Sequence, residues 1–145
     1  MREAFARRLR ILEEQDPSAL AKRISPDVWS ALEYVCHVRD VLLAQRERLY
    51  LALIADCPSF APIFGQRRAE LAHYGSERPA ELSTQLDSAL AMTAWAYANL
   101  EPEAWARQCV YNFPEPAKRN IAWFGAHTLH EVAHHLGDID RQLPQ

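Results

Sequence analysis

Ser25-Pro26-Asp27-Val28-Trp29-Ser30-Ala31-Leu32-Glu33-Tyr34-Val35-Cys36-His37-Val38-Arg39-Asp40 opens the longest stretch of the chain with no break in it. Ser25 suits an N-cap and Pro26 suits the first helical position, so a helix is predicted over about 27–55, ending before Cys57-Pro58. Downstream, Pro58, Pro62, Gly65, Gly75 and Pro79 mark a connector with one short helix over about 66–73. A further helix is expected over 80–100, stopped by Glu101-Pro102-Glu103. The run Arg107 to Pro116 reads as a packed, extended loop, and the last helix is expected over 117–141. Upstream, Arg2 to about Glu14 reads as a short helix and Leu20-Ala21-Lys22 as one helical turn. No segment carries a strand signal. Long helices joined by a long crossover connection predict an all-α four-helix bundle, in a single domain spanning 1–145.

Composition narrows the class. At 145 residues and 49% hydrophobic, the chain can bury one core. Only 4 residues are Gly, which agrees with few turns and much helix. The net charge of −3 lacks the basic excess of a nucleic-acid binder, so no nucleic-acid partner is expected. Cys36, Cys57 and Cys109 form neither a disulfide framework nor a CxxC pair, which suits a reducing, cytoplasmic setting. The N-terminal residues have no signal-peptide core, and no apolar run approaches the ~20 residues of a membrane span.

Four of the six histidines, His127, His130, His134 and His135, fall within nine residues of the last helix. Imidazoles at i, i+4 spacing can reach one metal ion. Two sets compete: His130 with His134, and Glu131 with His135, extended backwards by His127. At ~100° per residue, Ile121, Gly125, Thr128, Val132, Leu136, Ile139 and Leu143 gather in one apolar arc. His130 and His134 lie nearly opposite, towards solvent, while Glu131 and His135 border the arc and can look into a bundle. His127 sits at its rim. A metal needs a third ligand from another helix, and His37 is the candidate, although on the wheel alone the stripe Glu33, His37, Asp40, Ala44 and Glu47 reads first as a solvated face. Cys36 reads as a core thiol and His73 as a surface residue.

Two segments resemble a known family. Trp29 to Asp40 is similar to the W-x-x-x-E-x-x-x-H-x-x-D helix of the DinB-like superfamily, and His134-His135-Leu136-Gly137-Asp138-Ile139 is similar to its H-H-x-G-Q-[IV] ending. The resemblance implies a four-helix bundle holding a divalent metal, with one ligand from the second helix and two at i, i+4 on the last. Carried over residue by residue, the ligands are His37, Glu131 and His135. Glu131 departs from the three-histidine version and matches the His-Glu-His variety of the mycothiol-dependent maleylpyruvate isomerase branch. That isomerase has a second domain beyond the bundle, and Asp138 stands where the motif has Gln.

The resemblance implies zinc, or another divalent ion such as nickel, with one coordination position open. It also implies a low-molecular-weight thiol of the mycothiol or bacillithiol type, because thiolate is the nucleophile and a metal makes it available at neutral pH. The expected reaction is thiol transfer to a small-molecule electrophile or a thiol-assisted isomerisation. The alternatives are metal-dependent hydrolysis and a non-catalytic, metal-binding bundle. A homodimer is expected, since the family commonly pairs and Trp95, Trp105 and Trp123 supply aromatic bulk. Asp40 is a candidate to orient an imidazole or a water, and Tyr111 and Asn112 are candidates to line the mouth of the site.

Overall fold

The computed structural model describes residues 14–143. The N-terminal helix expected over 2–14 lies, up to residue 13, outside them. The first described element, α1 (Pro17–Ala21), starts at Asp16, whose side chain accepts a hydrogen bond from the Ser18 amide, and buries Leu20. The second, α2 (Ala31–Ile54), is the central strut of the fold. It begins later than the Ser25-Pro26 signal predicts. Ser25 only closes a turn, accepting from the Val28 amide at 3.1 Å. The reason is a capping box: the Glu33 amide donates to Ser30 Oγ at 3.3 Å, and the Ser30 amide donates to Glu33 Oε2 at 2.9 Å. Ser25 as N-cap would place Val28 where the box needs Glu or Gln, so it satisfies fewer orphan amides.

The connector holds β1 (Ser59–Phe60) and the short helix α3 (Gly65–Leu71). Helix α4 (Pro79–Ala98) matches the expected span to within two residues. The segment after it departs from the all-helix reading. Residues 108–120 form a hairpin, β2 (Gln108–Asn112) and β3 (Pro116–Asn120), and β1 pairs in parallel with β2 to make three strands in the order β1-β2-β3. The alternation is visible in hindsight: Cys109 and Tyr111 point inward between exposed or half-buried Gln108, Val110 and Asn112. Pro116 can open β3 because it lies at the start of an edge strand, where a missing amide costs least. The last helix, α5 (Ile121–Gln142), therefore begins at Ile121 and not at residue 117, capped by Asn120 Oδ1 accepting from the Trp123 amide at 2.8 Å.

Helix α2 packs against both α4 and α5. Leu32, Val35, Val38, Leu42, Leu82, Leu86, Val132 and Ile139 form the main core between them. A second core joins the sheet to the helices through Leu49, Phe60, Tyr111, Ile121 and Phe124. Among the described residues, no helix is long and apolar enough to cross a membrane. Helix α2 thus carries its residue 37 alongside the α5 stretch 131–138, with the connector and the hairpin bordering that place.

Candidate metal centre

His37 is buried, against the solvated reading of its stripe: its residue is 8% exposed, as is Glu33. The cover comes from elements outside α2. Trp29 stands edge-on to the His37 ring with centroids 5.0 Å apart, held by its indole N–H donating to Gln66 Oε1 of α3 at 3.0 Å. The backbone of Gly65 presses from the same side. A Cβ built on Gly65 would lie 3.0 Å from His37 Cε1 and 3.2 Å from Trp29 Cη2. Burial, and secondarily His135, hold the His37 imidazolium unfavourable and push its pKa down to about 4. At neutral pH the ring is uncharged, and its buried Nδ1 has no hydrogen-bond partner among the described residues.

Across the helix interface the His135 ring meets His37 edge-on, centroids 4.8 Å apart. Its two nitrogens face different carboxylates. Nδ1 lies 2.9 Å from Asp138 Oδ2, and Nε2 lies 3.9 Å from Glu131 Oε2. An ionised carboxylate only accepts, so the Nδ1–H donates to Asp138. That fixes the tautomer and leaves the Nε2 lone pair towards Glu131, the arrangement in which an outer carboxylate orients a metal-binding imidazole. Asp138 is in turn held by the Arg141 guanidinium. His37, Glu131 and His135 line one cavity of about 500 Å³, whose walls are Trp29, Val41, Pro62, Ile63, Phe64, Tyr111 and Phe113.

Two donor sets could hold a cation here. One is His37, Glu131 and His135, which line the same cavity although their donor atoms do not all lie within 4.8 Å of one another. The other is His134, His135 and Asp138, whose donor atoms all lie within 4.8 Å of one another. The second set is poorer chemically. A cation there competes for Asp138 with both the Arg141 guanidinium and the His135 imidazole that already hold it. The first set uses a nitrogen left free by that bond, together with the buried His37 ring that stands edge-on to His135. Grouping imidazoles with a carboxylate away from water is costly, and a cation relieves that cost.

The other candidates fall as follows. His130 is exposed, and the His134 side chain is 59% exposed although it borders the cavity. His127 stacks on Trp123 with centroids 4.8 Å apart, its Nε2 3.9 Å from Glu131 Oε1, and burial lowers its pKa against the pull of Glu131. Asp40 orients no imidazole: its Oδ1 accepts from Arg39 Nε at 2.8 Å and its Oδ2 from the Tyr74 hydroxyl at 2.6 Å. Tyr111 lines the cavity, while Asn112 ties β2 to β1 by donating to Ser59 Oγ and Phe60 O, both at 2.8 Å. Cys36 is a core thiol, fully buried, its pKa pushed up to about 12 by burial. His73 is exposed. A separate cavity of about 330 Å³ between α4 and α5 is lined by apolar groups such as Leu42, Leu90 and Leu129, and among its described lining residues Tyr97 is the one titratable side chain, which makes no donor set.

Gly65 gives a local test. Gly65→Ala is expected to turn or displace the His37 ring, because the new methyl meets an imidazole and an indole that are both packed in place. The folded state should survive with a loss of roughly 1–3 kcal/mol, typical of overpacking. Shifts of the His37 ring resonances by NMR are the readout, and unchanged resonances would show that the contact does not constrain the ring.

Sequence reasoning missed the cavity walls supplied by Ile63, Phe64, Gly65 and Phe113, and the bond from His135 to Asp138. The i, i+3 spacing of His135 and Asp138 was the available signal for the latter.

No functionally curated protein matches this sequence. Among solved structures, the fold is similar to YfiT from Bacillus subtilis, described as a probable metal-dependent hydrolase with an unusual four-helix bundle topology. The TM-score is 0.78 at 19% identity, over 97% of this chain and 80% of that one. It is also similar to the mycothiol-dependent maleylpyruvate isomerase, with a TM-score of 0.73 at 16% identity, over 95% of this chain. This chain spans only 57% of that isomerase. At these identities the likeness establishes the four-helix bundle fold alone. The sequence itself matches the DinB superfamily over residues 1–139, and the chain belongs to that superfamily.

Proposed function

We propose that this chain is a divalent-metal-dependent enzyme in which His37, Glu131 and His135 hold the ion and a low-molecular-weight thiol attacks a small electrophile. The observation that carries the reading is the His135 ring, fixed through Nδ1 by Asp138, turning Nε2 towards Glu131 beside a buried His37 with an unpartnered nitrogen. Zinc suits two neutral imidazoles and one carboxylate, with nickel the second choice. Bound there, the ion supplies the Lewis acidity that makes thiolate available at neutral pH.

The chain's own residues do the rest. Asp138 keeps the proton on Nδ1 of His135, so this imidazole presents the Nε2 lone pair towards the cavity. Burial keeps His37 uncharged down to low pH, so no proton competes for its lone pair. Trp29 and Gly65 hold the His37 ring in one orientation, and the connector and hairpin set apolar walls beside the reacting groups. A thiol of the mycothiol or bacillithiol type agrees with the isomerase likeness. Pairing of two copies agrees with Trp95 on α4, which is 70% exposed beside the partly exposed Met92.

A second reading is hydrolysis at the same ion, the activity named for YfiT. Zinc-loaded chain assayed with an activated ester and with a thiol plus an electrophile separates the two. Turnover that requires the thiol, with loss of thiol equal to loss of electrophile, is expected. Ester cleavage at the same rate without thiol would reverse the order of the readings. Purified chain without bound divalent metal, taking none up on addition of zinc, would overturn both.

A further inference from the structure

The cavity in front of His37, Glu131 and His135 has a floor of donors and walls of a different chemistry. Its walls include Trp29, Val41, Ile63, Phe64 and Phe113. Among the described residues that line it there is no Lys, Arg, Ser, Thr, Asn or Gln, and Glu131 is the one carboxylate. Arg67 and Arg68 border a shallow groove along the other side of Phe64, not this cavity. An anionic substrate entering here finds no cation on the walls to replace its lost water. A polyhydroxylated body finds few partners for its hydroxyl groups. Both kinds of desolvation are costly when left unpaired.

Two aromatic side chains are held open at the rim. Phe64 is 66% exposed and Phe113 is 60% exposed, a wasteful position for large apolar groups unless something covers them. Phe64 adopts a left-handed backbone conformation, φ 54°, at the start of α3. Such a conformation is unfavourable for a residue with a side chain and is held here by its surroundings. Phe113 sits in the hairpin turn between β2 and β3. The walls come from three separate segments and border the space beside the donors from more than one side. A volume of about 500 Å³ admits a small molecule of one or two rings.

We infer that the molecule reaching the donor floor is a neutral one with an aromatic body, of the benzyl class, presenting a single donor atom such as a thiol sulfur. The inference rests on the metal-dependent reading above and replaces its mycothiol-type thiol, which only the isomerase likeness supports, with an aromatic one. Aromatic rings gain edge and offset contacts with Trp29, Phe64 and Phe113 beyond the area they cover. A dicarboxylate or a sugar-rich thiol body gains none of this inside the cavity.

The test is an NMR titration of the full chain with phenylmethanethiol and with mercaptosuccinate, in the presence of zinc. Phenylmethanethiol is expected to bind at least about tenfold more tightly, with shifts centred on the Trp29 indole and the Val41 and Ile63 methyls. Phe113→Arg should move the preference towards mercaptosuccinate by about tenfold, because it adds the missing cation, and Phe113→Leu should preserve the original order. Both changes are at an exposed turn, so folding is not at stake. Equal or tighter binding of mercaptosuccinate to the unmodified chain would overturn the inference, as would an unchanged preference in Phe113→Arg. A zinc-free titration separates this result from failure of the metal reading: phenylmethanol should shift the same three residues and succinate should not. Succinate shifting them, or phenylmethanol leaving them unmoved, overturns the inference whether or not the chain binds zinc.

Discussion

His135→Ala is expected to abolish stoichiometric zinc binding, weakening affinity by more than the roughly 10–100-fold that loss of an outer partner costs. The change removes the imidazole that faces Glu131 and His37 and leaves their donors without the third member of the set. Asp138→Asn should show the smaller effect, within that same range of roughly 10–100-fold. An amide can donate as well as accept, so it no longer dictates which nitrogen of His135 carries the proton. His130→Ala should change nothing, because His130 is exposed and its ring stacks with that of His134 outside the cavity lining. Metal content after dialysis against buffered zinc gives all three values. Equal zinc in His135→Ala and the unmodified chain would remove the proposed centre. A loss with Asp138→Asn as deep as with His135→Ala would favour the competing set, in which Asp138 is itself a ligand.

Phe124→Ala should have the largest effect on stability. Phe124 is fully buried and its ring meets those of Phe60 and Tyr111, each at 5.8 Å between centroids. It is therefore where α5 is keyed to β1 and β2. Deleting a ring in such a place costs about 3–5 kcal/mol, counting the lost transfer energy and the cavity left behind. Against a total stability of roughly 5–15 kcal/mol, that is a large share. Urea unfolding should show a lower midpoint with an unchanged slope. A loss under about 1 kcal/mol would mean the sheet packs independently of Phe124.

The last helix was largely legible because its signal is periodic. Phe124, Thr128, Val132 and Ile139 are buried where the wheel put its apolar arc or the border of it, and Glu131 and His135 stand beside them at the cavity. The bundle fold and the superfamily were legible for the same reason, together with the motif around His37. The hairpin was not. Its alternation spans five residues, Gln108 to Asn112, and the nearby prolines resemble loop punctuation. The inward face of β2 is decided by Phe60 and Phe124, one of them 49 residues upstream of Cys109 in the chain. Nor did periodicity resolve His37. Its burial comes from Trp29, Gly65 and His135, and a helical wheel contains only neighbours on its own helix. Asp40 shows the opposite error: a carboxylate three residues from a candidate ligand looks like its orienting partner, but Arg39 and Tyr74 already occupy both oxygens.

The cavity has two tenants of different origin. Its donor floor belongs to α2 and α5, which share the main core and cannot shift without repacking it. Most of its walls belong to the segment 62–65 and to the hairpin turn, which lie outside that core. Mutation can therefore act on the two independently. Exchanging the side chains at positions 63, 64 and 113 retunes what is admitted, while the chemistry offered to it is inherited unchanged. A scaffold divided in this way can diversify its clientele one loop residue at a time, with Gly65, wedged against His37, as the position where the two inheritances meet.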